Sequence, residues 1–256
     1  MRCDHTRADR EVRTVNTPRS EELYLDSQTS TYLQATQLVA DLHRRASFDT
    51  PALLSGLIAG AAESVPGAQY AAITATQRRR GVQTAAATHR YPVILDEIQG
   101  RYQQGPCLTA AAVQESVSVE DLVRDDRWPL YRAAALKQTP IRSILSFGMF
   151  KEGVSAATLN FYAESPDAFD DESVNLGLIF STHAALVWNM MRRDQQFRAA
   201  LVSRDIIGQA KGTLMERFNI DAAAAFERLK RMSQDANTPI VQVAQRFTRG
   251  DSSLLK

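Results

Sequence analysis

The chain has 256 residues, of which 44% are hydrophobic, and a formal net charge of +1 at pH 7. These values predict a globular protein with one large core and a smaller second domain. No apolar run approaches the length of a membrane span, and the N-terminus lacks the apolar core of a signal peptide, so we expect a cytoplasmic protein. The two cysteines and four scattered histidines indicate neither a disulfide framework nor a metal site.

The first part of the chain combines a polar tail with two helices and a hairpin. Residues 1–30 are rich in Arg, Asp, Glu, Ser and Thr, which predicts a mobile tail. Residues 32–46 have amphipathic spacing, and Thr50-Pro51 caps a second helix that runs to about Val65. Segments 68–77 and 81–89 predict a hairpin whose turn contains Arg78–Arg80. These arginines can contact nucleic acid, but a solvated hairpin tip is the better explanation.

The middle of the chain alternates helices and strands. Residues 92–115 predict helical turns around Gly105, Pro106 and Cys107, residues 116–122 a short strand, and residues 127–138 another helix. Residues 142–163 predict a second hairpin that turns at Glu152-Gly153. A long helix follows, and because no proline occurs between Asp167 and Thr238, it can continue into the last part of the chain.

Three helical patterns end the chain. Asp221 is expected to cap the second pattern, and Thr238-Pro239 supplies an N-cap and first turn for the third. Short amphipathic helices with tight connections bury their stripes only against each other, which predicts a three-helix bundle. The apolar positions of the three patterns are Ile207, Ala210, Leu214 and Phe218; Phe226, Leu229 and Met232; and Ile240, Val243, Ala244 and Phe247.

The order of residues in this bundle resembles the ANTAR domain, an RNA-binding module of bacterial transcription antiterminators. The resemblance covers residues 203–249 without a gap. It implies that the domain binds paired RNA hairpins in nascent transcripts, so that the antiterminator form prevails over a terminator. The residues that carry it are Ala210-Lys211-Gly212, Leu214–Arg217, Ala225-Phe226, Arg231–Gln234, Asn237 and Val243-Ala244.

The element order over residues 31–190 resembles a GAF domain, in particular those that precede ANTAR modules in actinobacteria, through Gln104–Leu108, Asp125–Pro129 and Arg142–Phe147. The implied fold is α+β: a GAF-like antiparallel sheet flanked by helices, joined by a long helix to a C-terminal three-helix bundle. GAF domains bind small molecules on one face of the sheet or serve to dimerise, and the sequence identifies no ligand or cofactor. The expected segments are a tail at 1–30, a GAF sensor domain at 31–190, a helical linker at 191–202, an ANTAR domain at 203–249 and a tail at 250–256.

The charges are unevenly distributed between these segments. From Ser203 to Lys256 nine Lys and Arg stand against six Asp and Glu, whereas from Ser30 to Met190 thirteen stand against sixteen. A basic end on an acidic body fits phosphate contact at that end, although a solvated helix face can show the same imbalance. The expected RNA-binding residues are Lys211, Gly212, Arg217, Arg228, Arg231, Ser233, Gln234 and Asn237.

Two features of these residues support the assignment. Lys211 lies between Gly208 and Gly212, where the RNA backbone or another helix can approach closely. The polar side chains near the end of the second helix are types that read base edges and phosphates. Ser233 and Asn237 can equally cap helix ends. Because all phenylalanines of the bundle fall on its apolar stripes, no aromatic side chain is expected to stack on bases.

Cys107 is the one candidate for chemistry, as a GAF ligand or redox site. It follows Pro106 at an expected helix N-terminus, where aligned amides lower the pKa of a thiol. Against this role, a lone cysteine in a mostly apolar domain is more often a small buried hydrophobe, which is the better explanation. Covalent bilin attachment is disfavoured because Leu108, and not histidine, follows. The chain has no Gly-rich phosphate loop, nucleophile elbow or HExxH motif, so we expect no enzyme.

Two other functions for the bundle stay open. Three short helices also describe a helix-turn-helix DNA-binding regulator with a GAF sensor, whose third helix would enter the major groove with Gln242, Gln245, Arg246 and Arg249. The bundle can also serve dimerisation alone. The helix-turn-helix alternative leaves the Ala210-Lys211-Gly212 segment without a special role.

The long helix carries a pattern that predicts a homodimer. Positions 187, 190, 194, 197, 201, 204 and 208 alternate steps of three and four residues, and Asp194 and Arg204 interrupt an otherwise apolar seam. Val187, Met190, Phe197 and Leu201 fill the apolar positions, which favours a parallel two-stranded contact. The alternative is a helix that packs only on its own domain.

Overall fold

The computed structural model describes residues 50–77, 81–153 and 155–249, together with Leu33, Thr36, Gln37 and Ala40. The expected tails, the arginine turn at 78–80 and most of the expected helix at 32–46 lie outside the described residues. The chain divides into two compact units, the second of which begins at Leu186.

The first unit is built on a five-stranded antiparallel sheet with the strand order β2-β1-β5-β4-β3, within the described residues. Both expected hairpins are confirmed, β1 with β2 and β4 with β5. The elements are α1 Thr50–Ser64, β1 Tyr70–Gln77, β2 Gly81–Ala87, α2 Arg90–Tyr102, α3 Pro106–Val113, β3 Ser116–Val119, α4 Pro129–Gln138, β4 Ser143–Glu152 and β5 Ser155–Ala163.

Helices α2 to α4 pack with the sheet around one apolar core. Leu95 of α2, Tyr131 of α4, Ile144 of β4 and Tyr162 of β5 are fully buried in it. Apolar burial of this kind stabilises by roughly 25 cal/mol per Å² removed from water. The turn after α1 needs glycine, because Gly67 has a φ of 76° and an added Cβ would lie 2.0 Å from the carbonyl oxygen of Ala168.

An ion-pair cluster fixes the loop between β3 and α4. Asp121 accepts hydrogen bonds from Arg142 Nε and Nη2 at 2.8 and 2.9 Å and from Arg124 Nε at 3.0 Å. The Arg142 guanidinium is the main reason why the pKa of Asp121 lies below its usual range. This bidentate pair holds the loop against the start of β4.

The second unit contains the end of α5 (Asp171–Phe218), followed by α6 (Ala222–Asp235) and α7 (Ile240–Thr248). The continuous helix between sheet and bundle is confirmed, as is the Asp221 cap, whose Oδ1 accepts from the Ala224 amide at 2.8 Å. The prediction that Thr238 is the N-cap of α7 is wrong. Pro239 takes the extended N-cap conformation itself, and the Thr238 hydroxyl turns back to donate to the Ala236 carbonyl at 2.9 Å.

The bundle core confirms the three apolar stripes except at one position. Phe226 is 39% exposed, so its expected inward orientation is wrong. Ala225 and Leu229 point into the core, and Phe226 projects about 100° from Ala225 around the helix. The fully or nearly fully buried residues of this core are Ala210, Leu214, Ala225, Leu229, Val243, Ala244 and Phe247. Across the described ranges, no helix combines the length and apolar character that crossing a membrane requires.

Candidate functional sites

A row of polar side chains crosses the inner face of the sheet. Thr84 of β2 pairs with Thr74 of β1, Thr74 with Thr158 of β5, and the neighbouring Asn160 with Ser146 of β4. Asn160 Nδ2 donates to Thr74 Oγ1 at 2.9 Å and to Thr158 Oγ1 at 3.2 Å. Strand pairing therefore assembles a buried polar surface from residues that are far apart in the sequence.

Asp96 of α2 covers this row and is 1% exposed. Its carboxylate accepts from Thr74 Oγ1 at 2.9 Å, from Thr84 Oγ1 at 2.6 Å and from Gln99 Nε2 at 3.2 Å. These partners are all uncharged, so no ion pair compensates for the loss of water. Burial raises the pKa of Asp96 to about 6, against the lowering effect of the three hydrogen bonds.

Cys107 lies beside this carboxylate, in the first turn of α3. The helix starts at Pro106 as expected, but Cys107 is 1% exposed, and burial together with the Asp96 carboxylate raises the pKa of the thiol well above its ordinary value. The interpretation of Cys107 as a small buried hydrophobe is therefore confirmed, and the lowered pKa that a helix N-terminus can give is not found. The Cys107 amide donates to Gln99 Oε1 at 3.0 Å, and Gln99 packs so closely on Gly105 that an added Cβ there would lie 2.4 Å from Oε1.

Four buried polar atoms near this cluster have no hydrogen-bond partner within the described part of the chain: Tyr131 OH, Tyr162 OH, Ser146 Oγ and Asn160 Oδ1. Each such atom costs on the order of 1–3 kcal/mol when it leaves water unpaired. Sequence reasoning missed the cluster, although one signal was present. Pro92, Leu95, Asp96 and Gln99 recur at helical spacing, which places the carboxylate and the amide on the buried face of α2.

In the second unit, two cation–aromatic contacts link α5 to α6. Lys211 Nζ lies 6.0 Å from the centroid of the Phe226 ring, and Arg228 Cζ lies 4.0 Å from that of Phe218. Phe218 is half-buried on the bundle core, whereas Phe226 and the neighbouring Met215 are exposed. Lys211 thus stands over an aromatic ring that solvent and ligands can reach.

The turn between α6 and α7 is held by two of the expected RNA-binding residues. Ser233 Oγ donates to the Thr238 carbonyl at 2.6 Å, and Asn237 adopts the left-handed conformation with a φ of 44°. Asparagine tolerates this conformation at a helix C-terminus better than most residues do. Both residues therefore have a local structural role, and the Asn237 side chain remains exposed.

The expected RNA-binding residues do not share one face. Arg228, Arg231 and Gln234 are spaced three apart and form one exposed ridge of α6. On α5, Arg217 projects about 120° away from Lys211. Gly212 is exposed, and an added Cβ would meet nothing within 4 Å.

Two models of known protein families match the chain, one after the other. The GAF domain family model matches residues 49–189, more than half of the chain. The chain belongs to the GAF domain family. The ANTAR domain model matches residues 195–247, which gives the GAF-ANTAR architecture that the sequence resemblance implied. GAF and ANTAR domains are regulatory, and together they support an RNA-binding antitermination regulator with a GAF sensor.

Solved structures similar to this GAF-ANTAR chain include GAF-fold proteins of different function. The GAF domain of a phosphoenolpyruvate-protein phosphotransferase from Coxiella burnetii is 15% identical over 66% of this chain and 96% of its own, with a TM-score of 0.49. Free methionine-R-sulfoxide reductase from Neisseria meningitidis, solved with its substrate, is 15% identical over 66% of this chain and 93% of its own, with a TM-score of 0.49. No curated protein is significantly similar to the chain.

The raised pKa of Asp96 makes the stability of the GAF domain depend on pH. Below about pH 4 the carboxyl is neutral in both states, and as the pH rises to about 6 the unfolded chain loses this proton first, so stability falls. Asp96→Asn removes this dependence. We expect the free energy of unfolding of the variant, relative to the unsubstituted chain, to rise by about 2–3 kcal/mol between about pH 4 and pH 7. Urea denaturation measures the free energy of unfolding of the variant and of the unsubstituted chain. A difference between the two that does not change with pH would contradict the prediction.

Proposed function

We propose that this chain is a cytoplasmic, non-enzymatic antitermination regulator whose ANTAR domain binds paired RNA hairpins in nascent transcripts. The observation that carries the proposal is the ANTAR match together with the exposed cationic and aromatic side chains of α5 and α6. Hairpin loops present unpaired bases beside phosphates, and proteins recognise such loops by stacking, base-edge hydrogen bonds and charge. The bundle offers side chains for each of these contacts.

The contacts divide between backbone and base recognition. Lys211 contributes a phosphate contact, because it is a point charge beside the glycine backbone at Gly212. The ridge of Arg228, Arg231 and Gln234 lies along α6, and guanidinium and amide groups read base edges as well as phosphates. Phe226 supplies a stacking face for an unpaired base, next to the ammonium of Lys211. Arg217, which projects elsewhere, contributes general attraction to the RNA.

The GAF domain senses a small molecule in this proposal. The polar row beneath Asp96 combines one carboxylate without a cationic partner, two tyrosine hydroxyls, a serine hydroxyl and an asparagine carbonyl that lack partners within the described residues. A compact ligand that bears an ammonium or similar donor group would pair with this carboxylate, and its further polar groups would pair with the atoms that lack partners. Cys107 then lines the ligand site as a neutral thiol.

Self-association through α5 completes the proposal. Phe197 is 64% exposed, and Met190 and Leu201 are also exposed on the same side of the helix. The sequence predicted that Val187 is part of this seam, and this prediction is wrong because Val187 is fully buried. The neighbouring Leu186 is exposed and takes its place in the seam. Two linked bundles bind two hairpins with a high effective concentration for the second contact. A GAF ligand regulates binding only if it prefers the RNA-competent state.

One binding experiment separates RNA recognition from helix-turn-helix DNA binding. The chain is titrated at fixed salt with a two-hairpin RNA, a single-hairpin RNA and duplex DNA. We expect the two-hairpin RNA to bind most tightly. Tightest binding to duplex DNA would favour the helix-turn-helix alternative, in which α7 enters the major groove.

Substitutions in the same assay assign the surface. Arg231→Ala and Asn237→Gly should each lose on the order of 1–3 kcal/mol and relax the loop-sequence preference. Glycine is the appropriate replacement at Asn237, because it keeps the left-handed backbone while it removes the side chain. Gln242→Ala and Arg246→Ala on α7 are the matched controls and should change RNA affinity less. The reverse ranking would contradict the assignment.

A further inference from the structure

One face of α5 in the second unit presents an apolar stripe that nothing in the described chain covers. Leu186, Met190, Phe197 and Leu201 are large exposed hydrophobics. Gly208, Gly212 and Met215 continue the stripe and are also exposed. At 3.6 residues per turn these seven positions fall within an arc of about 80°. The bundle-facing residues Ala210 and Leu214 lie outside this arc.

The stripe has a twofold pattern about Ala199. Asp194 and Arg204, the two charges that interrupt it, lie five residues before and five residues after Ala199. Phe197 and Leu201 lie two residues from it. Four further positions pair a large residue with a glycine: Met190 with Gly208, each nine residues from Ala199, and Leu186 with Gly212, each thirteen residues from it. Met215, sixteen residues after Ala199, lies outside this pattern.

We propose that two copies of this chain associate through the stripe with their α5 helices antiparallel, about an axis level with Ala199. Asp194 of each copy then faces Arg204 of the other, Phe197 packs on Leu201, and each large side chain enters the space above a glycine. A parallel pairing instead places Asp194 opposite Asp194 and Arg204 opposite Arg204, and like charges in contact destabilise. This arrangement replaces the parallel contact expected from the heptad spacing.

The glycines support a partner of this kind. Gly208 and Gly212 lie inside a helix, where each costs about 1 kcal/mol relative to alanine. An added Cβ at either position meets nothing within 4 Å, so packing inside the described chain does not require glycine there. Close approach of a second helix does require it, because small residues let helix backbones come together. In this dimer the partner helix covers Gly212, and the phosphate contact rests on the Lys211 ammonium, which projects about 100° away from Gly212 around the helix.

The inference deepens the proposed function, on which its role in regulation rests. In the antiparallel pair, Gly212 of one copy lies level with Leu186 of the other, so the two Gly212 positions are about 39 Å apart along the helices. The ANTAR bundles are then held apart at a fixed spacing, and this spacing sets the separation of hairpins that a dimer binds together.

Cysteine cross-linking of the full chain determines the direction of pairing. In a Cys3→Ser background the buried Cys107 is the only native thiol. Met190→Cys combined with Gly208→Cys should form disulfide-linked dimers under mild oxidation, and peptide mapping should show residue 190 joined to residue 208. Either substitution alone should not cross-link, because like positions lie about 27 Å apart in the antiparallel pair. Cross-linked single variants mean parallel pairing and overturn the proposal, as does a double variant that stays monomeric.

Charge reversal tests the pairing of Asp194 with Arg204. Asp194→Arg should weaken self-association on the order of tenfold, and Asp194→Arg with Arg204→Asp should restore it to within about threefold. Unchanged association in the single variant, or no restoration in the double, overturns the proposal. Both residues are exposed, and the ion pair that Asp194 forms with Arg198 of its own helix, at 2.8 Å, is an exposed pair that contributes little to stability, so circular dichroism should show an unchanged fold. A chain that passes both tests but binds no hairpin RNA overturns the proposed function and leaves this pairing standing.

Discussion

Replacing Phe226 by alanine is expected to weaken binding of hairpin RNA by about 1–3 kcal/mol, which is roughly 5- to 150-fold in Kd. Phe226 is 39% exposed on α6, and its ring lies 6.0 Å from Lys211 Nζ. A base that stacks on this ring meets the aromatic face and the ammonium together. Loss of the ring therefore removes stacking and leaves the phosphate contact of Lys211 in place.

Two comparisons make this prediction specific. Phe226→Trp keeps a stacking face and should bind nearly as well as the unsubstituted chain. Lys211→Ala should reduce the dependence of log Kd on log salt by somewhat under about one unit, whereas Phe226→Ala should leave that dependence unchanged. Phe226 is not among the buried core residues of the bundle, so its removal should change the free energy of unfolding little. An alanine variant with unchanged RNA affinity would show that the bases lie elsewhere.

The exposed orientation of Phe226 could not be predicted from the sequence. The three apolar stripes of the bundle could be predicted, because helical spacing alone determines which residues share a face. Which neighbouring residue points inward depends on how α6 is rotated against α5 and α7. Ala225 is small enough to lie at that contact, so the larger Phe226 is displaced towards solvent.

The polar row beneath Asp96 could not be predicted from the sequence either, for a different reason. Strand alternation and turn residues predicted both hairpins, which are local features. The polar row required knowledge that β5 lies between β1 and β4, since only that order brings Thr74, Thr158 and Ser146 together beneath Asp96. The helix N-terminus at Cys107 and the burial of its thiol were both predictable, but only the structure shows that burial beside Asp96 outweighs the helix N-terminus and raises the pKa of the thiol.

Introducing charge into the α5 stripe is expected to weaken self-association and two-hairpin binding together. Phe197→Glu with Leu201→Glu places four carboxylates in the centre of a dimer, where like charges and lost apolar contact both oppose association. Affinity for a two-hairpin RNA should fall towards that for one hairpin, by on the order of a hundredfold, because the second contact loses its effective concentration. Single-hairpin affinity should change little, since neither residue is among the proposed RNA-contacting residues of α5 and α6.

The matched control places the same two charges on another side of the same helix. Gln195 and Val202 are both exposed, and they project about 140° and 120°, respectively, from the middle of the stripe. Gln195→Glu with Val202→Glu also introduces two carboxylates and should preserve dimerisation, so it measures the general effect of negative charge on RNA affinity. Light scattering and RNA titration on the same samples compare the two variants. A Phe197 and Leu201 variant that still dimerises would place the seam elsewhere, and a monomer that still prefers paired hairpins would show that self-association and RNA binding are not coupled.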